Sequence, residues 1–371
     1  MTQLAATLFN HTPLAQWHSV IKQQPGQINQ VTYSCDKLSR GKFNISEKKP
    51  QVTAHYLALF GKNLSSSAVI NLLQALNQHS DEIVLYPPNR CPTALPTTEK
   101  VQRNQAHTDL LVLGFAALSP SLISTLTATL ANWSHNYRVD YAFSNQLPQL
   151  AKPGVVLMDM DSTTIQIECI DEIAKLAGAE VGKQVAAVTA RAMNGELDFA
   201  ESLRSRVATL KDCPEAVLKQ VADAMPLMPG LELLIATLHQ ANWKVAIASG
   251  GFTYFAQRLQ ADLGFDAVFA NQLQITNGYL TGEVLGDIVD AQVKADTLQV
   301  LAARYQIAPD QTVAIGDGAN DLLMLANAAL GVAIHAKPVV QQQAQVSLNY
   351  HDLEGLVALL HCGACIHASW R

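Results

Sequence analysis

Gly154-Val-Val-Leu-Met-Asp159-Met-Asp161-Ser-Thr-Thr164 runs an apolar β pattern straight into two aspartates one residue apart. Residues i and i+2 of an extended chain project on the same side, so both carboxylates are expected at one strand end, where open α/β sheets bind ligands. Two acids there suit a metal, a phosphate, or both. Taken alone, a D-x-D pattern also describes a solvated turn or a helix cap.

Three later stretches narrow the choice. Thr312-Val-Ala-Ile-Gly316-Asp317-Gly-Ala-Asn320-Asp321 is a second apolar strand breaking into a Gly-rich turn with three polar groups. Oxygen ligands drawn from two loops fit a hard, small cation such as Mg²⁺ better than zinc or copper. Lys244-Val-Ala-Ile-Ala-Ser249-Gly250-Gly251 is a third strand, ending in a hydroxyl and two glycines before the helical stretch Phe252 to Leu263. A hydroxyl beside free backbone N–H groups at a helix start makes an anion site. Lys294 opens the helical run Ala295 to Tyr305 and is placed to bring a positive charge to the same anion; in isolation it reads as an ordinary surface lysine.

In chain order the set is D-x-D-S-T, S-G-G, Lys and G-D-G-A-N-D. It resembles the haloacid-dehalogenase-like phosphotransferase superfamily over roughly residues 154 to 350, and within it the branch that acts on phosphoserine. The residues carrying the resemblance are Asp159-Met-Asp161-Ser-Thr, Glu168, Arg204 within Ser202-Leu-Arg-Ser-Arg206, Ser249-Gly-Gly-Phe252, Lys294 and Gly316-Asp-Gly-Ala-Asn-Asp321. The resemblance implies an α/β fold, a Rossmann-like parallel sheet with a helical cap. It also implies Mg²⁺-dependent hydrolysis of O-phospho-L-serine to L-serine and phosphate through an aspartyl-phosphate, the last step of L-serine biosynthesis. Asp159 would be the nucleophile and Asp161 the general acid/base. Mg²⁺ would be held by Asp159, the backbone carbonyl of Asp161, and Asp317. Lys294, Ser249 and the Gly250 N–H would hold the phosphoryl oxygens, with Asn320 and Asp321 orienting the metal and the lysine. Glu168 would accept the substrate ammonium and Arg204 would fork onto its carboxylate. Met193 and Phe199 are expected to wall the pocket. Outside this pattern Glu168 is a solvated helix charge and Arg204 an i, i+3 partner of Glu201.

Upstream of the linker Asn145 to Gly154, the apolar periodicities order as strand Thr53 to Phe60, helix Ser65 to Gln78, strand Glu82 to Tyr86, a Pro- and Thr-rich loop, strand Asp109 to Leu118, helix Ser121 to Trp133 and strand Arg138 to Ser144. This βαββαβ order resembles the ferredoxin-like α+β modules called ACT. Val139, Tyr141 and Phe143 alternate as in a half-buried strand. The expected organisation is an extension over 1–50 of unknown structure, an ACT-like domain over 51–146, a linker over 147–153, the phosphatase domain over 154–356 and a tail over 357–371. A helical insertion, about Thr164 to Met228, begins with a helix from Ile165 to Ala177 and is expected to lie over the sheet's carboxyl edge as a lid. Leu273 to Val284 reads as a hairpin turning at Asn277-Gly278.

With 371 residues, 49% of them hydrophobic, the chain can bury two or three cores, and a net charge of -6 without a basic stripe argues against nucleic acid and anionic membranes. A small soluble substrate fits better, in the cytoplasm; a homodimer is left open. Leu110 to Tyr137 lacks charged residues, yet Ser119-Pro120 and repeated Ser, Thr and Asn interrupt any membrane-length apolar run. Six scattered cysteines do not form a disulfide framework. His361-Cys362-Gly-Ala-Cys365-Ile-His367 looks like a metal fragment, but an irregular tail is the expectation, because neighbouring ligands are hard to fold around one tetrahedral ion.

Overall fold

The computed structural model describes residues 3–4, 30–35, 41–46, 55–61, 64–76, 83–86, 109–115, 118–193 and 196–368. The chain divides into two compact units, Met1–Ala151 with Val346–Arg371, and Lys152–Gln345.

The first unit carries β1 (Gln3–Leu4), β2 (Gln30–Cys35), β3 (Gly41–Ser46), β4 (His55–Gly61), α1 (Ser66–Leu76), β5 (Ile83–Tyr86), β6 (Asp109–Phe115), α2 (Pro120–Tyr137) and β7 (Asp140–Ser144). From β4 to β7 the element order is βαββαβ, and these four strands lie side by side as β5-β6-β4-β7, with every pairing antiparallel. Strands β2 and β3, from a stretch that carried no readable pattern, extend the β5 edge. Helix α2 starts where Ser119 Oγ accepts from Leu122 N at 3.3 Å, with Pro120 at its first turn. Leu126, Leu130 and Trp133 of α2 pack with Leu72, Leu73 and Leu76 of α1 over Leu57 and Leu59, and the buried Trp133 Nε1 donates to Ala68 O at 2.9 Å.

The opposite face of this sheet is also covered, and here the structure departs from the half-buried reading of β7. Asp140 and Ala142 are as buried as Val139. The cause is the C-terminal segment. Residues 354–368 form a helix rather than an irregular tail, because Leu356, Leu359, Leu360 and Cys362 are buried, and its Gly355 sits against Phe60 of β4. Asp140 accepts from the backbone N–H of Asn349 (2.9 Å), Tyr350 (3.1 Å) and His351 (2.9 Å), and its Oδ2 lies 3.1 Å from His351 Nδ1. The side chains of Cys365 and His367 lie outside the described residues.

The second unit comprises β8 (Val155–Met158), α3 (Cys169–Ala177), α4 (Ala179–Met193), α5 (Phe199–Ala208), α6 (Ala216–Ala224), α7 (Leu231–Gln240), β9 (Lys244–Phe252), α8 (Thr253–Leu263), β10 (Ala267–Thr276), β11 (Tyr279–Leu285), α9 (Ala291–Arg304), β12 (Thr312–Gly316), α10 (Leu322–Asn327), β13 (Leu330–Ile334) and α11 (Pro338–Gln343). Its strands run β11-β10-β9-β8-β12-β13, parallel throughout except for the β10–β11 hairpin. Strand β8 is buried along its whole length between β9 and β12, which is why it reads as a continuous apolar run instead of an alternating one. At the hairpin tip Asn277 (φ 51°) and Gly278 (φ 78°) both adopt left-handed conformations, as a type I′ turn requires.

Helices α3 to α6 form the insertion, and the structure corrects its start. Residues 162–168 are not helical: the N–H groups of Thr163, Thr164 and Ile165 all converge on Met160 O, at 3.3, 2.8 and 3.0 Å. Ile165 then bridges to Leu227, with Gln166 N donating to Pro226 O (2.9 Å) and Met228 N to Thr164 O (2.9 Å), so the chain entering and the chain leaving the insertion are paired as a neck. No described helix is long and apolar enough to cross a membrane.

Candidate active site

Register places the chemistry. Met158 pairs with Ile247 of β9 and with Ile315 of β12, so Asp159, Ser249 and Asp317 emerge at the carboxyl ends of three adjacent parallel strands. Asp159 N donates to Ile315 O at 3.0 Å, and Thr164 Oγ1 donates to Asp159 O at 2.5 Å, closing the loop behind the carboxylate. Lys294, one turn into α9, is completely buried, and its Nζ lies 2.8 Å from both Asp159 Oδ1 and Asp321 Oδ1. It is therefore no surface lysine. Burial by itself would pull its ammonium down, but Asp159 and Asp321 outweigh it and hold the pKa above its ordinary value.

Asp159, Asp317 and Asp321 bring carboxylate oxygens within 4.8 Å of one another. Asp321 reaches into this group because Gly316 has no side chain: a Cβ there would meet the Asp321 carboxyl at 2.4 Å. Its Oδ2 accepts from Gly318 N at 3.0 Å. One lysine does not neutralise so many acids. Asp317 is pushed up to about 7 by burial, then by Asp159 and Asp321. Asp321 is raised as well, burial and Asp159 prevailing over Lys294. The Asp161 side chain stands apart from this group, with Oδ1 accepting from Cys169 N at 3.3 Å, and is pushed up to about 8 by burial, then by Glu168 and Asp159.

Ser249 is buried at the end of the β9 core, and its Oγ accepts from Gly251 N at 2.9 Å. Phe199, at the start of α5, packs on Gly250 so closely that a Cβ there would meet its ring at 2.5 Å, so Phe199 lies against the Ser249–Gly251 loop. Asn320 lies half-buried in the short 3-10 turn Ala319–Asp321. The Met193 side chain lies outside the described residues. Glu168 occupies the N-cap position of α3 instead of its interior, and its Oε1 accepts from Ser162 Oγ at 2.7 Å. Although much of this residue is exposed, its carboxyl is raised by desolvation, with Asp159 and Asp171 adding to the effect.

The two arginines of Ser202-Leu-Arg-Ser-Arg206 divide differently from expectation. Arg204 is exposed, whereas Arg206 is half-buried, with an Nε that is buried and has no hydrogen-bond partner among the described residues. Burial lowers the Arg206 pKa, while Asp171, Glu168 and Asp161 oppose the shift, so its charge faces the acidic side of the site. Two residues apart on a helix is about 200°, so the two arginines cannot share a face. The signal was in the sequence: Phe199, Leu203, Arg206 and Val207 fall on one stripe at helical spacing, and Arg204 falls outside it.

A parallel α/β sheet whose carboxyl edge presents an aspartate pair, a buried lysine, a Ser-Gly-Gly loop and a helical insertion has the make-up of a hydrolase for phosphoryl groups. A model of haloacid dehalogenase-like hydrolases matches residues 153–329. The phosphoserine phosphatase of Vibrio cholerae is 58% identical over 222 residues, 60% of this chain and 67% of its own length. That of Idiomarina loihiensis is 54% identical over 207 residues, 56% of this chain and 93% of its own. Among solved structures, the unliganded probable phosphoserine phosphatase of Vibrio cholerae aligns with a TM-score of 0.66 at 42% identity, covering 86% of this chain and 92% of that one. A substrate-bound phosphoserine phosphatase complex aligns with a TM-score of 0.52 at 36% identity, over 56% of this chain and 97% of its own. The chain belongs to the haloacid dehalogenase-like hydrolase family.

Proposed function

We propose that the protein hydrolyses O-phospho-L-serine to L-serine and phosphate through an aspartyl-phosphate on Asp159. The observation that carries this reading is the pairing of Asp159, held 2.8 Å from the buried Lys294, with an acidic-facing Arg206 and Glu168 on the lid side. An Asp159 oxygen attacks phosphorus as the bond to the serine oxygen breaks, and Asp161 delivers its proton to that oxygen. A carboxyl held up near 8 is still protonated at neutral pH and suited to this delivery. Asp161 then takes a proton from water, whose oxygen attacks the phosphorus; phosphate leaves and Asp159 is restored. Lys294, the Ser249 hydroxyl and the Gly250 N–H hold the phosphoryl oxygens, with Asn320 alongside.

Three carboxylates within 4.8 Å form a hard oxygen set whose charge exceeds that of the one lysine beside them, and this fits Mg²⁺, with Asp159, Asp317 and Asp321 as the side chains to hold it. When bound, the cation offsets the charge shared by these carboxylates and the phosphoryl group. In place of Arg204 we assign the substrate carboxylate to Arg206, whose unpaired buried Nε supports a forked contact, and the substrate ammonium to Glu168. The test is phosphate release from a panel of phosphorylated small metabolites with and without Mg²⁺. Phosphoserine is expected to stand well clear of sugar and aryl phosphates, with activity lost on chelation. Equal rates across the panel would leave the hydrolase and remove the substrate.

A further inference from the structure

Strand β10 changes register between Phe269 and Asn271 as it passes β9, and the irregularity turns Asn271 into the sheet beside the serine loop. Asn271 is almost completely buried. Its Nδ2 donates to Gly250 O at 2.8 Å, and its Oδ1 accepts from Val289 N at 2.9 Å. Only one orientation of the amide serves both partners, since a carbonyl can only accept and an N–H can only donate.

Both partners lie in or beside elements that the proposed function assigns to phosphate binding. Gly250 O is one end of the Gly250–Gly251 peptide, whose other end, Gly251 N–H, donates to Ser249 Oγ at 2.9 Å. Accepting this bond leaves the Ser249 hydroxyl its own proton to donate elsewhere. Val289 directly precedes Asp290, the cap of α9, whose Oδ1 accepts from Val293 N at 2.9 Å one residue before Lys294. A single buried amide thus joins the serine loop to the start of the lysine helix. We infer that Asn271 is a positioning residue for the phosphoryl pocket, holding the Gly250–Gly251 peptide and the α9 entry in the arrangement that aims Ser249 and Lys294 at one anion. The inference rests on the phosphatase reading above and adds a residue that touches neither substrate nor metal.

The test compares Asn271→Ala with Asn271→Asp, which keeps the shape and the acceptor for Val289 but loses the donor to Gly250. Turnover of phosphoserine, and of an aryl phosphate in parallel, is measured with inhibition by inorganic phosphate and by L-serine. Both variants are expected to lose roughly ten- to a hundredfold in kcat, as slight misplacement of a binding loop does. Inhibition by inorganic phosphate should weaken about tenfold, the order of one lost loop contact. Inhibition by L-serine, which engages the lid side, should stay within about twofold, because distant sites contribute independently. Parallel weakening of both inhibitors, unchanged phosphate inhibition, or failure of both variants to fold would overturn the inference and make Asn271 a core residue only. A wild-type protein that cleaves the aryl phosphate but not phosphoserine would instead defeat the substrate assignment, leaving the aryl phosphate and inorganic phosphate measurements to judge Asn271.

Discussion

Each unit of this protein buries aspartate, and the two do so in opposite ways. In the first unit Asp140 is enclosed by donors: three backbone N–H groups of residues 349–351 and the His351 ring share its two oxygens. In the second, Asp159, Asp317 and Asp321 crowd within 4.8 Å around one lysine, and the pKa of Asp317 and Asp321 is raised by burial and then by the Asp159 charge, which the lysine does not fully offset. A buried acid whose hydrogen bonds are all met is architecture, here fastening the C-terminal segment to β7. Buried acids in surplus cost stability, an imbalance that the proposed cation and phosphoryl group would offset.

Asp159→Asn gives the sharpest contrast. Turnover should fall by at least about 10⁴-fold, since an amide cannot form the acyl-phosphate, while circular dichroism stays that of the parent. Substantial activity in a sample shown free of deamidation would remove the covalent route. Asp140→Ala should do the reverse. Stranding several buried N–H groups is expected to cost about 3–5 kcal/mol, read as earlier unfolding in denaturant, while kcat of the remaining folded protein stays within about twofold. Lost turnover without lost stability would erase the distinction between the two aspartate sites.

Arg206→Ala is expected to cost about 2–4 kcal/mol in kcat/KM for phosphoserine and far less for an aryl phosphate, whereas Arg204→Ala stays within about threefold on both. The opposite ranking would return the carboxylate contact to Arg204.

The smallest effect concerns protons. Asp161, Asp317 and Asp321 have raised folded pKa values, so from about pH 4 to about pH 8 the folded chain keeps protons that the unfolded chain has released. Their contribution therefore lowers metal-free stability progressively as pH rises through that window. Metal binding needs the carboxylates ionised, so the rise in Tm on adding Mg²⁺ should be a few degrees larger at pH 8 than at pH 6. An increment independent of pH would place the cation elsewhere.

Local pattern carried much of this. Strands β8, β9 and β12 were legible because buried parallel strands read as apolar runs, and the turns after them because Gly, Ser and Asp break such runs. The α5 cap is local in the same way: Asp198 and Glu201, three residues apart, form a reciprocal box, with Glu201 N donating to Asp198 Oδ1 at 2.8 Å. Less legible were features whose cause lies far along the chain. Nothing near residue 140 announces that residues 349–351 will satisfy it, and nothing near Asn271 names Gly250 and Val289 as its partners. The helix expected from Ile165 begins at Cys169 because a distant segment, Pro226 to Met228, pairs with its approach.

By itself, then, the sequence determined the order of elements, the acidic strand ends and the residue types available for phosphoryl chemistry, because these follow from periodicity and short-range turn preferences. Tertiary structure decided which of those residues meet. Strand register set Asp159, Ser249 and Asp317 on one edge, and helix phase turned Arg206 inward and Arg204 outward. Burial converted Lys294 from an unremarkable helix residue into the cation shared by two aspartates. Such choices depend on distances across the fold, where desolvation and charge act between residues that the chain keeps far apart.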